Sequence, residues 1–184
     1  MVSEQNKAVV DAIKRVDLNS YKALSDLLDM AKVIAEPDGD NDLAYALKLT
    51  NFIKRKIPTL PSSIVMNQLY WQALKFEAPH RFESFLLYME KNRSPKKRFY
   101  QPRAKTLHVV VEDLQDLEDG LIEFYGLSLP PRVGKSTVCI FFLAWCAGRH
   151  PDLHNAMGGH SGILAKGFFK EFLNLITSPE YTYS

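Results

Sequence analysis

Residues 127–137 read Leu-Ser-Leu-Pro-Pro-Arg-Val-Gly-Lys-Ser-Thr, which is the residue order of a phosphate-binding loop. Residues 121–129 form a short segment rich in aliphatic and aromatic side chains, a pattern typical of a buried strand. Residues 136–148 are an apolar run long enough for about three turns of helix. Strand, tight loop and helix are the context that the motif requires, so this stretch predicts the start of a parallel sheet.

The residue types in the loop suit the binding of a polyphosphate. Backbone N–H groups at a helix start point towards an anion and carry the positive end of the helix dipole. Gly134 allows close backbone approach, Lys135 brings an ammonium to the outer phosphates, and Ser136 offers a hydroxyl to Mg²⁺. Arg132 can make a charge-assisted contact to the γ-phosphate, and otherwise it is an exposed loop arginine.

The loop departs from the usual pattern at one position. Leu129 stands where the eight-residue motif has its first glycine. The alternative interpretation is that Gly-Lys-Ser-Thr only begins a buried helix. We expect a deviant phosphate-binding loop because of the segments on either side of it.

Other short motifs accompany the loop in a fixed order. Residues 145–152 contain Trp-x-x-Gly-Arg-x-Pro-Asp, residues 159–161 read Gly-His-Ser, and residues 177–181 read Thr-Ser-Pro-Glu-Tyr. Upstream, residues 100–103 read Tyr-Gln-Pro-Arg. Taken together with a Leu-Pro-Pro-Arg-Val-Gly-Lys-Ser loop, this order resembles the large terminase subunits, the motors that pump double-stranded DNA into viral capsids. The resemblance covers residues 99–184 and depends on the joint spacing of several weak motifs.

The resemblance implies an ATPase that powers packaging of double-stranded DNA into a procapsid, with ATP and Mg²⁺ as cofactors. It implies an α/β fold in which a helical region precedes the first, incomplete part of a P-loop NTPase with a parallel sheet. Lys135 and Arg132 are the expected catalytic residues, and Ser136 is the expected Mg²⁺ contact. The expected nucleotide contacts are Pro131, Arg132, Val133, Gly134, Lys135, Ser136 and Thr137 in the loop, and Tyr100, Gln101 and Arg103 upstream.

The implied partners are double-stranded DNA, a portal protein, a small terminase subunit and further copies of the chain in a homo-oligomeric ring.

Downstream of Lys135 the carboxylates are Asp152, Glu171 and Glu180, and none of them follows an apolar strand. A packaging ATPase needs such a carboxylate to hold Mg²⁺ or water. We therefore expect the amino-terminal portion of a larger protein, with little activity alone. A helicase, another P-loop ATPase or an inactive fragment that only binds a partner is the alternative.

Charge and cysteine usage narrow the class of protein only slightly. The formal net charge is +2, but residues 91–105 hold seven basic and no acidic side chains, and residues 112–123 hold six acidic and no basic ones. The basic segment is interpreted mainly as a solvated linker, with contact to DNA phosphates as the alternative. Cys139 and Cys146 are about 10.5 Å apart along one helix, too far for a disulfide. With no secretory signal and no apolar run of membrane-spanning length, a location in the host cytoplasm is expected.

The chain is predicted to divide into a helical region at residues 1–90, a basic linker at 91–103 and the ATPase portion at 104–184. Apolar stripes predict helices around residues 24–34, 43–53, 64–74 and 82–89, in addition to a first helix capped by Ser3 and a turn at residues 37–40. Helices are also predicted at 104–117 and at 163–176, the latter capped by Ser161, and a weak second strand at 154–159.

Overall fold

A computed structural model describes residues 18–35, 42–181 and 183 of the chain. Within them, short 3₁₀ turns at Ile57–Thr59, Pro95–Lys97 and Gln101–Arg103 separate the longer helices. The α-helices are α1 (Tyr21–Ile34), α2 (Asp42–Lys56), α3 (Ile64–Glu77), α4 (Phe82–Met89), α5 (Ala104–Glu118), α6 (Lys135–Arg149) and α7 (Gly162–Ile176). The predicted first helix capped by Ser3, and the turn at residues 37–40, lie outside the described residues.

The predicted α/β fold is wrong, because none of the described residues forms a β-strand and the chain is all-α there. Residues 121–129 and 154–159, the two expected strands, have no regular structure. A strand is stable only where its backbone groups pair with a neighbouring strand. Here two apolar side chains of the first segment, Leu121 and Phe124, remain in solvent, 73% and 86% exposed, and the others are half-buried. Apolar composition alone therefore did not make a sheet.

The chain divides into two compact units, Met1–Phe76 and Glu77–Ser184. In the first unit α1 packs along α2, and the amino-terminal part of α3 adds to the same core. Ser20 begins α1 by accepting a hydrogen bond from the backbone N–H of Ala23 at 3.2 Å. The buried side chains of this core are Leu24, Leu27, Leu28, Ala31, Ala46, Leu49, Ile53, Ile57, Met66, Leu69 and Ala73.

The second unit is built around aromatic side chains of α4 and α6. Phe82 lies 5.2 Å, between ring centroids, from Trp145, and Phe85 lies 6.5 Å from Phe141. The indole N–H of Trp145 donates to the backbone carbonyl of Ala78 at 2.8 Å, so the polar atom of this fully buried ring is satisfied. Helix α5 covers the same core with its apolar side, which consists of Leu107, Val110, Val111 and Leu114.

The helices predicted from apolar spacing within the described residues are confirmed in both units. Ser161 caps α7 as predicted, since its hydroxyl accepts from the N–H of Leu164 at 3.3 Å. Ser63 similarly accepts from the N–H of Met66 at 3.2 Å beside the start of α3.

Both cysteines are free thiols. Over the residues that the structure describes, no helix combines the length and the apolar character needed to cross a membrane.

Candidate functional site

The predicted phosphate-binding motif, residues 131–137, forms a tight turn that leads directly into α6. Lys135 is the first residue of this helix, and Gly134, with φ of 104°, is the residue before it. Arg132 also has a positive φ, 67°, and it is the one non-glycine residue with that conformation among the described residues. An arginine in the left-handed region is strained, and such strain is often found where a loop serves a ligand.

The start of α6 has no side-chain cap. The first backbone hydrogen bond closing this turn runs from the N–H of Val138 to the carbonyl of Gly134 at 2.9 Å. The N–H groups of Lys135, Ser136 and Thr137 precede it and have no acceptor within a helix that starts here. Since no side chain caps the helix, these amides are available to an anion.

The loop side chains that would contact a phosphate are accessible to solvent. Pro131, Arg132, Lys135 and Ser136 are exposed, whereas Val133, Gly134 and Thr137 are half-buried. Val138, one residue further, is completely buried and fixes the helix in the core. The ammonium of Lys135 is close enough to Cys139 to act on its thiol, although burial dominates and raises the pKa of Cys139. The buried Val138 therefore anchors the loop to the core, while the loop side chains on the other side are open to solvent.

The upstream element lies directly against this loop. A Cβ atom built on Gly134 would lie 3.5 Å from Cδ2 of Phe99 and 4.0 Å from Cδ1 of Leu107. Phe99 also packs on Phe141 of α6, with ring centroids 4.8 Å apart. Residues 99–103 and the predicted phosphate-binding loop, which are separated in sequence, are thus neighbours in the fold, and contact of either segment with a nucleotide stays a prediction.

Tyr100 occupies the core in this arrangement. Its side chain is fully buried, and its hydroxyl donates to Oε1 of Glu83 at 2.6 Å. Burial and this hydrogen bond raise the pKa of the Tyr100 phenol far above its ordinary value. A base could stack on this ring only after the ring had left its present position, so contact between Tyr100 and a base stays a prediction.

Gln101 and Arg103 are better exposed than Tyr100. Oε1 of Gln101 accepts from Arg98 at 2.6 Å, and the guanidinium of Arg103 donates to the backbone carbonyl of Phe99 at 3.1 Å. Arg98 also donates to the carbonyl of Arg93 at 3.0 Å. These bonds fold the basic segment back on itself, and they leave Gln101 accessible beside the loop.

Glu90 is the residue of this region that sequence reasoning missed. It follows the last residue of α4, is 2% exposed, and its carboxylate accepts from the backbone N–H of Phe99 at 2.6 Å, of Tyr100 at 2.9 Å and of Gln101 at 3.1 Å. The sequence carried no signal for these bonds, because they depend on how the end of α4 approaches residues 99–101.

A second polar cluster joins the carboxyl ends of α5 and α6. Glu118 accepts from the thiol of Cys146 at 3.1 Å, and its Oε1 lies 2.9 Å from Nε2 of His150 and 3.7 Å from Nε of Arg149. The guanidinium of Arg149 lies 4.6 Å from the centroid of the Trp145 ring. Burial and the bond to Glu118 raise the pKa of Cys146, which keeps the thiol protonated. The contacts of Arg149 with Glu118 and with the Trp145 ring thus lie within the second unit.

Dedicated metal ligands are not grouped in the described part of the chain, where no three His, Cys, Asp or Glu side chains come together in a way that could hold an ion. The predicted Mg²⁺ contact needs no such group, since it consists of the Ser136 hydroxyl and the phosphates of a bound nucleotide.

The chain was compared with known protein families, curated proteins and solved structures. No protein-family model, no curated protein and no solved structure matches the chain.

Proposed function

We propose that the chain binds ATP with Mg²⁺ through residues 131–137. The observation that carries this proposal is the geometry of the helix start, where the unpaired amides of Lys135, Ser136 and Thr137 follow a strained, solvent-exposed turn. The helix dipole and these amides favour a polyphosphate at the position that the motif assigns to it. Absence of the preceding strand does not remove these groups, because they belong to the turn and to α6.

The side chains then take separate roles. Lys135 neutralises charge on the outer phosphates, and the hydroxyl of Ser136 completes the coordination of Mg²⁺. Arg132 contacts the γ-phosphate. The backbone of Pro131, Val133 and Gly134 lines the phosphates. Gln101 and Arg103, and Tyr100 after rearrangement, contact the base.

The same residues support a place in a viral terminase large subunit, as the ATP-binding portion of a motor that packages double-stranded DNA into a procapsid in the host cytoplasm. Two of the terminase-like motifs, residues 177–181 and 145–152, lie close together in the fold, which supports their belonging to one structural unit. The hydroxyl of Tyr181, from the Thr-x-Pro-Glu-Tyr motif, donates to the carbonyl of Ala144 at 2.8 Å, one residue before the Trp-x-x-Gly-Arg motif. Duplex DNA, a portal protein, a small terminase subunit and identical copies in a ring are the partners.

A decisive test compares Lys135→Ala with the unchanged chain in calorimetric titrations with ATP and Mg²⁺. We expect ATP affinity to fall about tenfold or more, because a charged contact to the phosphates is lost. Lys170→Ala is the matched control, since Lys170 is an exposed lysine on α7. Equal ATP affinity in Lys135→Ala and in the unchanged chain would exclude the phosphate role.

A second titration separates the packaging motor from another P-loop ATPase such as a helicase, or from a module that only binds a partner. Binding to a portal protein together with duplex DNA supports the motor. A strong preference for single-stranded DNA supports the helicase, and partner binding without any nucleotide affinity supports the module.

A further inference from the structure

We infer that Glu90 is the positioning residue that holds the base-contacting segment against the phosphate-binding loop. This inference rests on the proposed function, because it concerns how the same nucleotide site is assembled. Glu90 itself is too deeply buried to touch a ligand.

The carboxylate of Glu90 occupies a small anion site made of backbone amides. Three consecutive N–H groups, those of Phe99, Tyr100 and Gln101, converge on its two oxygens at 2.6, 2.9 and 3.1 Å. All three of these donors to Glu90 are backbone N–H groups of the segment that the carboxylate holds. Charge-assisted hydrogen bonds to amides are stronger than neutral ones, and three of them fix the course of this segment.

The fixed segment is connected to the loop through Phe99. Its ring lies on the side of Gly134 where a Cβ atom would project, and it also packs on Phe141 of α6. Gln101 and Arg103 follow within the next turn of chain. Glu90 therefore fixes the position, relative to the start of α6, of the backbone that carries the exposed Gln101 and the half-buried Arg103.

Nothing else in the described chain gives this segment an equivalent anchor. The hydroxyl of Tyr100 bonds to Glu83, but that contact holds a side chain and involves no backbone N–H group. The bonds of Arg98 and Arg103 are internal to the basic segment. Loss of the Glu90 charge should loosen residues 99–103 as a group.

Glu90→Gln tests this inference with little change in side-chain volume. An amide has one acceptor oxygen, and its NH₂ group would face at least one of the three backbone N–H donors. Glu77→Gln is the matched control, because Glu77 is also 2% exposed in the same unit and accepts from the hydroxyl of Ser84 at 2.6 Å, away from the loop. Each variant is titrated with ATP and with inorganic tripolyphosphate, which has no base.

We expect Glu90→Gln to weaken ATP binding about tenfold and to leave tripolyphosphate binding within about threefold of the unchanged chain. Glu77→Gln should change neither affinity. Equal loss of both ligands in Glu90→Gln, or no loss of ATP affinity, would overturn the positioning role. If the unchanged chain binds no ATP, or Lys135→Ala binds it as well, the proposed function fails and this inference fails with it.

Hydrogen exchange of the unchanged chain gives a readout that does not depend on a variant. ATP should slow exchange of the amides of Phe99, Tyr100 and Gln101 together with those of residues 132–137, because bound nucleotide would clamp the two segments. Slower exchange at residues 132–137 alone would show that the loop binds without the Glu90-held segment, and it would overturn the inference.

Discussion

The ring of Tyr183 lies where a side chain on Gly148 would have to go. A Cβ atom built on Gly148 would overlap Cδ2 of Tyr183 and come within 2.7 Å of the hydroxyl oxygen of Tyr181. Tyr183 donates to the carbonyl of Pro79 at 3.2 Å, and its ring packs 6.4 Å from Phe85. The glycine of the Trp-x-x-Gly-Arg motif is thus needed for close packing of the two tyrosines on α6.

Gly148→Ala should lower the free energy of unfolding of the second unit by about 1–3 kcal/mol, since overpacking forces both tyrosines to move. Gly167→Ala is the control, because Gly167 lies inside α7 and an added Cβ atom meets nothing within 4 Å. That variant should gain about 0.5–1 kcal/mol from helix propensity. Denaturant unfolding followed by tyrosine fluorescence measures both, and equal effects would contradict the packing described.

Gly134→Ala should be costly for a different reason. There is room for the Cβ atom, whose nearest neighbour would lie 3.5 Å away, but a φ of 104° lies outside the region that alanine adopts easily. We expect a loss of about 1–2 kcal/mol in unfolding free energy. If the loop binds nucleotide, ATP affinity should fall as well, because the turn changes shape.

Gly158→Ala provides the comparison for Gly134→Ala. Gly158 has no positive φ, and an added Cβ atom meets nothing within 4 Å. Its unfolding free energy should stay within about 0.5 kcal/mol of that of the unchanged chain. A Gly134→Ala protein as stable as Gly158→Ala would show that the turn relaxes without strain.

Local features of the sequence determined the helices, and long-range contacts determined the rest. Helix α5 was predicted at 104–117 and is found at Ala104–Glu118, since apolar spacing and start and stop signals lie within the segment itself. The strand expected at 121–129 failed because a strand depends on a partner elsewhere in the chain. An apolar run does not specify that partner.

In the candidate site, too, the features set by local sequence were predictable and those set by long-range contacts were not. The turn before α6 was predictable, because Gly134 and Lys135 carry its signal in adjacent positions. The burial of Tyr100 and the hydrogen bonds from the backbone to Glu90 were not predictable, because each depends on how α4 approaches residues 99–101. A single sequence does not record that approach.

Stability should decrease as pH falls below neutral because of His80. Burial first, and then the charges of Arg149 and Arg81, lower the pKa of His80 below its ordinary value of 6.5. A base whose folded pKa is depressed stabilises the fold above its unfolded pKa, and that contribution is lost as pH falls from about 6.5 towards the lower folded value. His80→Gln should flatten the dependence of unfolding free energy on pH between about 7 and 5.

His160→Gln is the control for His80→Gln, because His160 is an exposed loop residue. Its pH profile should match that of the unchanged chain. An unchanged slope in His80→Gln would assign the pH dependence to another group.

Glu118 should contribute more to stability than an exposed carboxylate on the same helix. Its side chain is 12% exposed and stands between Cys146, Arg149 and His150. Glu118→Ala therefore leaves the thiol of Cys146 without its acceptor, and it leaves the largely buried guanidinium of Arg149 with Asp119, 3.6 Å away, as its remaining carboxylate. We expect a loss of about 1–3 kcal/mol in unfolding free energy at neutral pH. Glu112→Ala, which removes a 63% exposed carboxylate 3.3 Å from His108, should cost less than about 0.5 kcal/mol. Denaturant unfolding measures the difference, and similar losses in both variants would mean that solvent already satisfies the Glu118 cluster.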